Sequence, residues 1–274
     1  MLKAFVLLIG SICLSVGATS TGIPDGSVPF VPKCLNGGRY AAIEDFPFEV
    51  SIQLIDLAAT NRGTHIGSGV IYNKYVILTA ASVVVGRAAS NLQIRAGSTC
   101  HKTGGQLIKV AVIKIHDCFD AVTLRHDIAL LKLKSPLVLD GHRVSRAHIG
   151  KFEPSNNETG RVVGYGSSMD GLALYNTDLR QATIRYLNLK ACTSSFYGYT
   201  NDGLKIGVFC GRARNQDSCQ MDRGSPAMFQ GSLVGLFSWA RGCAEEIYPG
   251  IYTSVIEYHK YIICASHNLL TTPK

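Results

Sequence analysis

Residues 217–226 read Asp-Ser-Cys-Gln-Met-Asp-Arg-Gly-Ser-Pro, DSCQMDRGSP. Two aspartates, a cysteine, a glycine and a proline share this stretch with an arginine, and it lies inside a long series of short β-like runs. FEVSIQL, GSGVIY, YVILTAA, NLQIRAG, KVAVIKI, IALLKL, RVVGYG, QATIRYL, SLVGLFSW and GIYTSVI follow one another from about Cys34 to Ile263, separated by turn signals. Strands at this spacing, with no helical periodicity between them, predict an all-β barrel or sandwich. The last segment, SVIEYHKYIICASHN, places Val255, Ile256, Tyr258, Ile262 and Ile263 as a terminal amphipathic helix would.

Composition sets the frame around those runs. Of 274 residues, 46% are hydrophobic and 17% charged, enough for a substantial core and too apolar for a disordered chain. The formal charge is 27 − 19 = +8. No block of five or six like charges occurs, so the basicity is spread over the surface and leaves open a basic face for a polyanion or an acidic partner. At the N-terminus, Lys3, the apolar run AFVLLIGSICLSV and the small residues Val16-Gly17-Ala18 predict a secretory signal over 1–18. A short segment rich in Gly, Pro, Ser and Thr follows over 19–34, and the folded domain is expected over 35–270. No later apolar run approaches the roughly 18 residues that span a bilayer, so a secreted, extracellular protein is expected. Cys13 falls inside the signal and eight cysteines remain, an even number in an oxidising compartment. Their spacing does not suggest a zinc site, and no metal or cofactor is expected. Asn157-Glu158-Thr159 is a glycosylation sequon.

The stretch 217–226 resembles the segment D-x-C-Q-G-D-S-G-G-P that carries the nucleophile in trypsin-like serine proteases. Four further blocks resemble the same family in the same order. GGRYAAIEDFPFEVSI is similar to the mature N-terminus, VILTAAS to the strand delivering the catalytic histidine, and HDIALLKL to the segment around the catalytic aspartate. LFSWARGCAEEIYPGIYTSV is similar to the walls of the specificity pocket. Together they cover roughly residues 35 to 263. The resemblance implies two six-stranded antiparallel β-barrels with a C-terminal helix and a site in the cleft between them.

Carried over residue by residue, the resemblance places the aspartate at Asp127, the histidine position at Ser82 and the serine position at Arg223. A serine nucleophile needs an imidazole to take its proton and a carboxylate to orient that imidazole. Neither Ser82 nor a guanidinium supplies a base. Met221 stands at the oxyanion-hole glycine, where a Cβ opposes the required turn. These readings lead to the expectation that the chain is not an enzyme. A relocated nucleophile at Ser225, with His116 or His126 as base, is the competing reading; on an alternating strand His126 points away from the Asp127 face.

The block matching the new terminus of an activated protease is Leu35-Asn36-Gly37-Gly38, behind Cys34, so a cut after Lys33 leaves an extra residue there. Asp222 then lacks its usual amino-terminal partner, and either the domain stays zymogen-like or a cation such as Arg223 offsets the charge. Arg223 itself either pairs with Asp127, Asp222 or Asp217, most readily Asp127, or extends into solvent. The resemblance assigns Asp217 to the floor of the pocket and Ala240 and Gly250 to its walls. It implies the disulfides Cys192–Cys210 and Cys219–Cys243, and no bridge where Ile66 and Val83 stand. Cys100 and Cys118 flank a hairpin and are expected to pair locally, leaving Cys34–Cys264. The function expected is that of a secreted, non-catalytic protease homologue. Its role would be binding or regulatory, with an extracellular protein partner, an active protease or its substrate, and no nucleic acid. A polyanion-binding module is the third reading.

Overall fold

The computed structural model describes residues 39–55, 63–166, 178–194, 196–197, 199, 204, 207–213, 222–241 and 248–271. Among the described residues thirteen strands carry the fold in two barrels, as expected. The first barrel is built from β2 (Glu49–Ile55), β3 (Gly63–Asn73), β4 (Val76–Thr79), β5 (Leu92–Ala96), β6 (Gln106–Ile115) and β7 (Ala129–Leu133). It closes in the order β2-β3-β4-β7-β6-β5, with every pairing antiparallel. Closure removes free edges, and the inward residues fill the interior. Val50, Ile52, Ile71, Ile77, Ile94 and Leu131 are fully buried there. Val83 and Ile66, at the positions where the family's bridge is absent, both pack on this same core.

The second barrel comprises β8 (Thr159–Gly164), β9 (Arg180–Leu187), β10 (Val208–Ala213), β11 (Pro226–Phe229), β12 (Ser232–Trp239) and β13 (Gly250–Ser254). The order β9-β10-β13-β12-β11-β8 is closed by β8 on β9, and the short β1 (Arg39–Tyr40) adds to the free side of β9. Tyr186, Phe209 and Tyr252 stack in its interior, with ring centroids 4.8 and 5.2 Å apart. The terminal helix α3 (His259–Thr271) buries Ile262, Ala265 and Leu269 in a cluster that includes Leu78 and Leu130 of the first barrel and Leu233 and Leu236 of the second. Two short helices, α1 (Ala81–Val84) and α2 (Leu189–Cys192), complete the fold.

A main-chain bond joins the barrels. Ser68 N of β3 donates to the Arg223 carbonyl at 2.9 Å, and the segment between β7 and β8 is tied back to β3 by Ala147 N, which donates to the Ile71 carbonyl at 2.9 Å. A Cβ on Gly67 would lie 2.9 Å from the Arg223 oxygen, and one on Gly224 (φ 85°) would run into the Ser68 carbonyl. Glycine at both positions is what lets β3 and the 222–225 turn approach so closely.

Cys192 and Cys210 form a disulfide tying α2 to β10. The expected Cys100–Cys118 pair is corrected: both thiols are free. Cys100 precedes β6 and bridges Asp178, whereas Cys118 follows β6. The ten residues of that strand span about 30 Å, against a Cα separation of under about 7 Å in a disulfide. Cys264 is an exposed free thiol on α3, and its expected partner Cys34 lies outside the described residues, as do Cys219 and Cys243.

Candidate functional site

The site forms around Asp127, just before β7 and 1% exposed. After β4 the chain turns at Ala80 into α1, whose first-turn amides have no partner inside the helix. Ser82 therefore directs both its amide and its hydroxyl at the carboxylate, at 2.7 Å to Oδ1 and 2.9 Å to Oδ2. The Ser238 hydroxyl, on β12 of the other barrel, donates to Oδ2 as well. Burial raises the Asp127 pKa above the usual carboxylate range; the Ser238 and Ser82 bonds, and more weakly the Arg223 charge, work against that rise. The carboxylate that was expected to need a replacement donor has three.

Of the three carboxylates expected to meet Arg223, Asp127 and Asp222 lie within the described residues and Asp217 lies outside them. Arg223 is exposed, and among the described residues its guanidinium makes no ion pair with Asp127 or Asp222. With Asp127 already satisfied by hydroxyl and amide donors, desolvating a guanidinium beside it would gain little. Ser225 is fully buried, and its hydroxyl has no partner among the described residues. His126 points the other way: its Nδ1 lies 2.8 Å from the Tyr258 hydroxyl and its ring stacks on His116 at 4.8 Å. Among the described residues no hydrogen bond joins the Ser225 hydroxyl to His126 or His116, the base positions of the relocated-nucleophile reading.

Asp222 is not left without a partner. His65 Nε2 lies 2.9 Å from its Oδ2, Tyr165 N donates to the same oxygen at 3.0 Å, and the Ser68 hydroxyl at 3.3 Å. On its far side His65 Nδ1 meets the Ser51 hydroxyl at 2.8 Å, and Gln53 Nε2 donates to Ser51 at 3.1 Å. Glu49 completes this buried set. It is wholly enclosed, and neither carboxyl oxygen makes a hydrogen bond among the described residues. Burial drives its pKa well above the ordinary range, the nearby Ser68 hydroxyl opposing and the Asp222 charge adding to the shift. Glu49, Ser51, His65 and Ser238 were not singled out in the sequence. The polar residues at 49, 51 and 53 alternate along one strand, a pattern that usually marks a wet face, and here that face is inside.

Of the pocket positions, Gly250 opens β13 and a Cβ there would meet the Phe237 ring at 2.9 Å; Ala240 follows β12 and packs on the second barrel's core. Asp217 and Met221 lie outside the described residues. No group of three or more His, Cys, Asp or Glu among the described residues is arranged to hold a metal ion. No described helix is long and apolar enough to cross a membrane.

Two barrels with a polar cleft between them define the class to which comparison assigns the chain. The sequence matches the Trypsin family over residues 35–262, and the chain belongs to that family. It is 34% identical to "Trypsin delta" of Drosophila erecta, covering 96% of this chain and 99% of the relative. It is 35% identical to "Hypodermin-B" of Hypoderma lineatum, over 96% and 97%. Among solved structures, neuropsin, a serine protease expressed in the limbic system of mouse brain, superposes with a TM-score of 0.71 at 22% identity, covering 84% of this chain and 98% of that one, a likeness of fold. The expectation that the chain is not an enzyme is corrected by its relatives: several are named trypsins, and the family points to a protease.

Proposed function

We propose that this trypsin-family protein is secreted and engages polypeptide in the cleft between its barrels. In this reading it has a binding or regulatory role toward an extracellular partner, an active protease or a protease substrate. In the same reading residues 1–18 are a signal peptide, 19–34 a short pro-segment and 35–270 the domain. Ser82, Asp127 and Arg223 then occupy the three positions that the family resemblance assigns to its triad, with Asp217, Ala240 and Gly250 around the pocket. The observation that carries the reading is the state of Asp127 and Arg223: the carboxylate is saturated by Ser82 and Ser238, while the guanidinium stands exposed. In this reading the exposed Arg offers a ligand backbone or carboxylate five donors, and Asp217, at the pocket floor by resemblance, offers the ligand's basic side chain a counter-charge. That relatives are named trypsins supports polypeptide as the ligand class.

Fluorescence anisotropy with labelled peptides containing one arginine, against the same peptides with neutral citrulline, tests this. The arginine peptide should bind about tenfold more tightly, and Asp217→Asn should erase the difference. Mass spectrometry of the same samples reads whether the bound peptide is cut. Equal affinity for the two peptides in the unmodified protein would remove the pocket from the reading, and absence of saturable binding would remove the reading itself.

A further inference from the structure

A row of arginines crosses the outside of the second barrel. On β9, Ala182, Ile184 and Tyr186 are buried, so strand alternation turns Gln181, Thr183 and Arg185 outward. Arg212 of β10 is directly opposite Arg185, and directly opposed residues share a face. Arg161 of β8 is opposite Thr183, one diagonal step from Arg185, and Arg39 of β1 is opposite Gln181. Three adjacent strands thus carry Arg161, Arg185 and Arg212 on one surface, with Arg39 further along it.

Such an arrangement is costly unless something answers it. Side chains directly opposed across an antiparallel pair begin about 5 Å apart, and like charges there destabilise the sheet. No acidic side chain among the described residues forms an ion pair with them: those pairs are His65–Asp222, Lys114–Asp117 and Arg143–Glu44, all elsewhere. Glu158, next to β8 in sequence, is engaged by Ser155 N at 3.0 Å and Gln230 Nε2 at 2.9 Å. Among the described residues Arg185 donates to a backbone carbonyl, that of Asn157 at 3.0 Å, and the Arg212 Nε is buried without a hydrogen-bond partner.

We propose that this face binds a sulfated polysaccharide chain laid across β8, β9 and β10. Each guanidinium presents a planar fork that grips a tetrahedral oxyanion through two hydrogen bonds. Thr159, Thr183 and Gln181, on the same face, supply uncharged donors and acceptors for sugar hydroxyls. The outward positions of β8–β10 hold no aromatic ring on which a base could stack. At the β1 edge Tyr40 is opposite Arg180, whose guanidinium lies 4.4 Å from its ring centroid, and not opposite the outward Gln181. A net charge of +8 brings a polyanion to the surface, and the row gives it a place to settle.

The test uses the full mature chain and a size-defined heparin oligosaccharide, titrated at several NaCl concentrations. The triple variant Arg161→Gln/Arg185→Gln/Arg212→Gln should weaken binding about tenfold or more near physiological salt. It should also lower the slope of log affinity against log salt by about three, one per arginine removed. A control triple, Lys134→Gln/Lys151→Gln/Lys260→Gln, removes the same charge from exposed positions elsewhere and should stay within about twofold of the parent. The oligosaccharide should raise the Tm of the parent and leave that of the arginine triple unmoved. Without ligand, the arginine triple should melt no lower than the parent, because repulsion across Arg185 and Arg212 is relieved; the single variant Arg185→Gln repeats the binding test with minimal change. Equal losses in the two triples would reduce the effect to net charge and overturn the proposal. Unchanged binding in the arginine triple would also overturn it, as would tighter binding of a single-stranded oligonucleotide through the same three arginines.

Discussion

Glu49 is a carboxyl group 0% exposed beside Ser68 and Asp222, and its oxygens make no hydrogen bond of ordinary geometry among the described residues. Its pKa in the folded chain lies well above that in the unfolded one, so the folded state holds a proton that the unfolded state releases as pH rises past the ordinary glutamate range. Its contribution is complete below the unfolded pKa and is lost as pH climbs toward the folded value, at about 1.4 kcal/mol per pH unit across that window. Asp127 shifts in the same direction and adds to the slope. Glu49→Gln keeps the shape and cannot ionise. Its Tm should match the parent's at about pH 4 and exceed it increasingly toward neutral and alkaline pH; parallel curves across that range would show that Glu49 is not protonated in the fold. None of this was legible in FEVSIQL, because alternation reports which residues share a face and not whether that face is wet. His65 as the partner of Asp222 was equally hidden: a lone histidine far along the chain gives no sign of what it meets. The positions of Asp127, Ser82 and Arg223 were legible, since each stands in a motif, but Ser238 was one serine in an apolar run.

At the scale of elements, ten of the thirteen strands stand where the β-like runs lie. The three others have physical reasons for escaping notice. β1 has two residues, and β10 (VFCGRA) and β11 (PAMF) each carry a residue that weakens a strand pattern, an interior glycine in one and a leading proline in the other. Pro226 is tolerated because it is the first residue of its strand. Pairing of cysteines was the weakest inference, because sequence proximity across a hairpin says nothing about which end of a long strand each residue occupies. Cys100 and Cys118 lie at opposite ends of β6. Non-reducing peptide mapping should recover Cys192 linked to Cys210 and no peptide linking Cys100 to Cys118. A Cys100–Cys118 peptide in freshly purified protein would require β6 to be folded otherwise than described.

For the whole molecule, the contact between β3 and the 222–225 turn decides how far the barrels can part. Gly67 and Gly224 flank the Ser68–Arg223 backbone hydrogen bond, and a Cβ on Gly67 would meet the Arg223 carbonyl and one on Gly224 that of Ser68. Gly224→Ala combines a left-handed φ with a blocked approach and should cost about 2 kcal/mol or more; Gly67→Ala should cost less, because it meets the movable Val83 side chain as well as the carbonyl. Urea titration of both variants measures the order, and a Gly224→Ala protein as stable as its parent would mean the seam is loose.

A seam stitched through the main chain, with no room for even a methyl group, makes the cleft a slot of fixed width and not a pair of jaws. An incoming chain is admitted or refused by its own shape, and whatever entropy must be surrendered to seat it comes from the ligand. Recognition of that kind favours partners that arrive already ordered, such as a taut loop on a folded protein, over slack peptides of the same sequence.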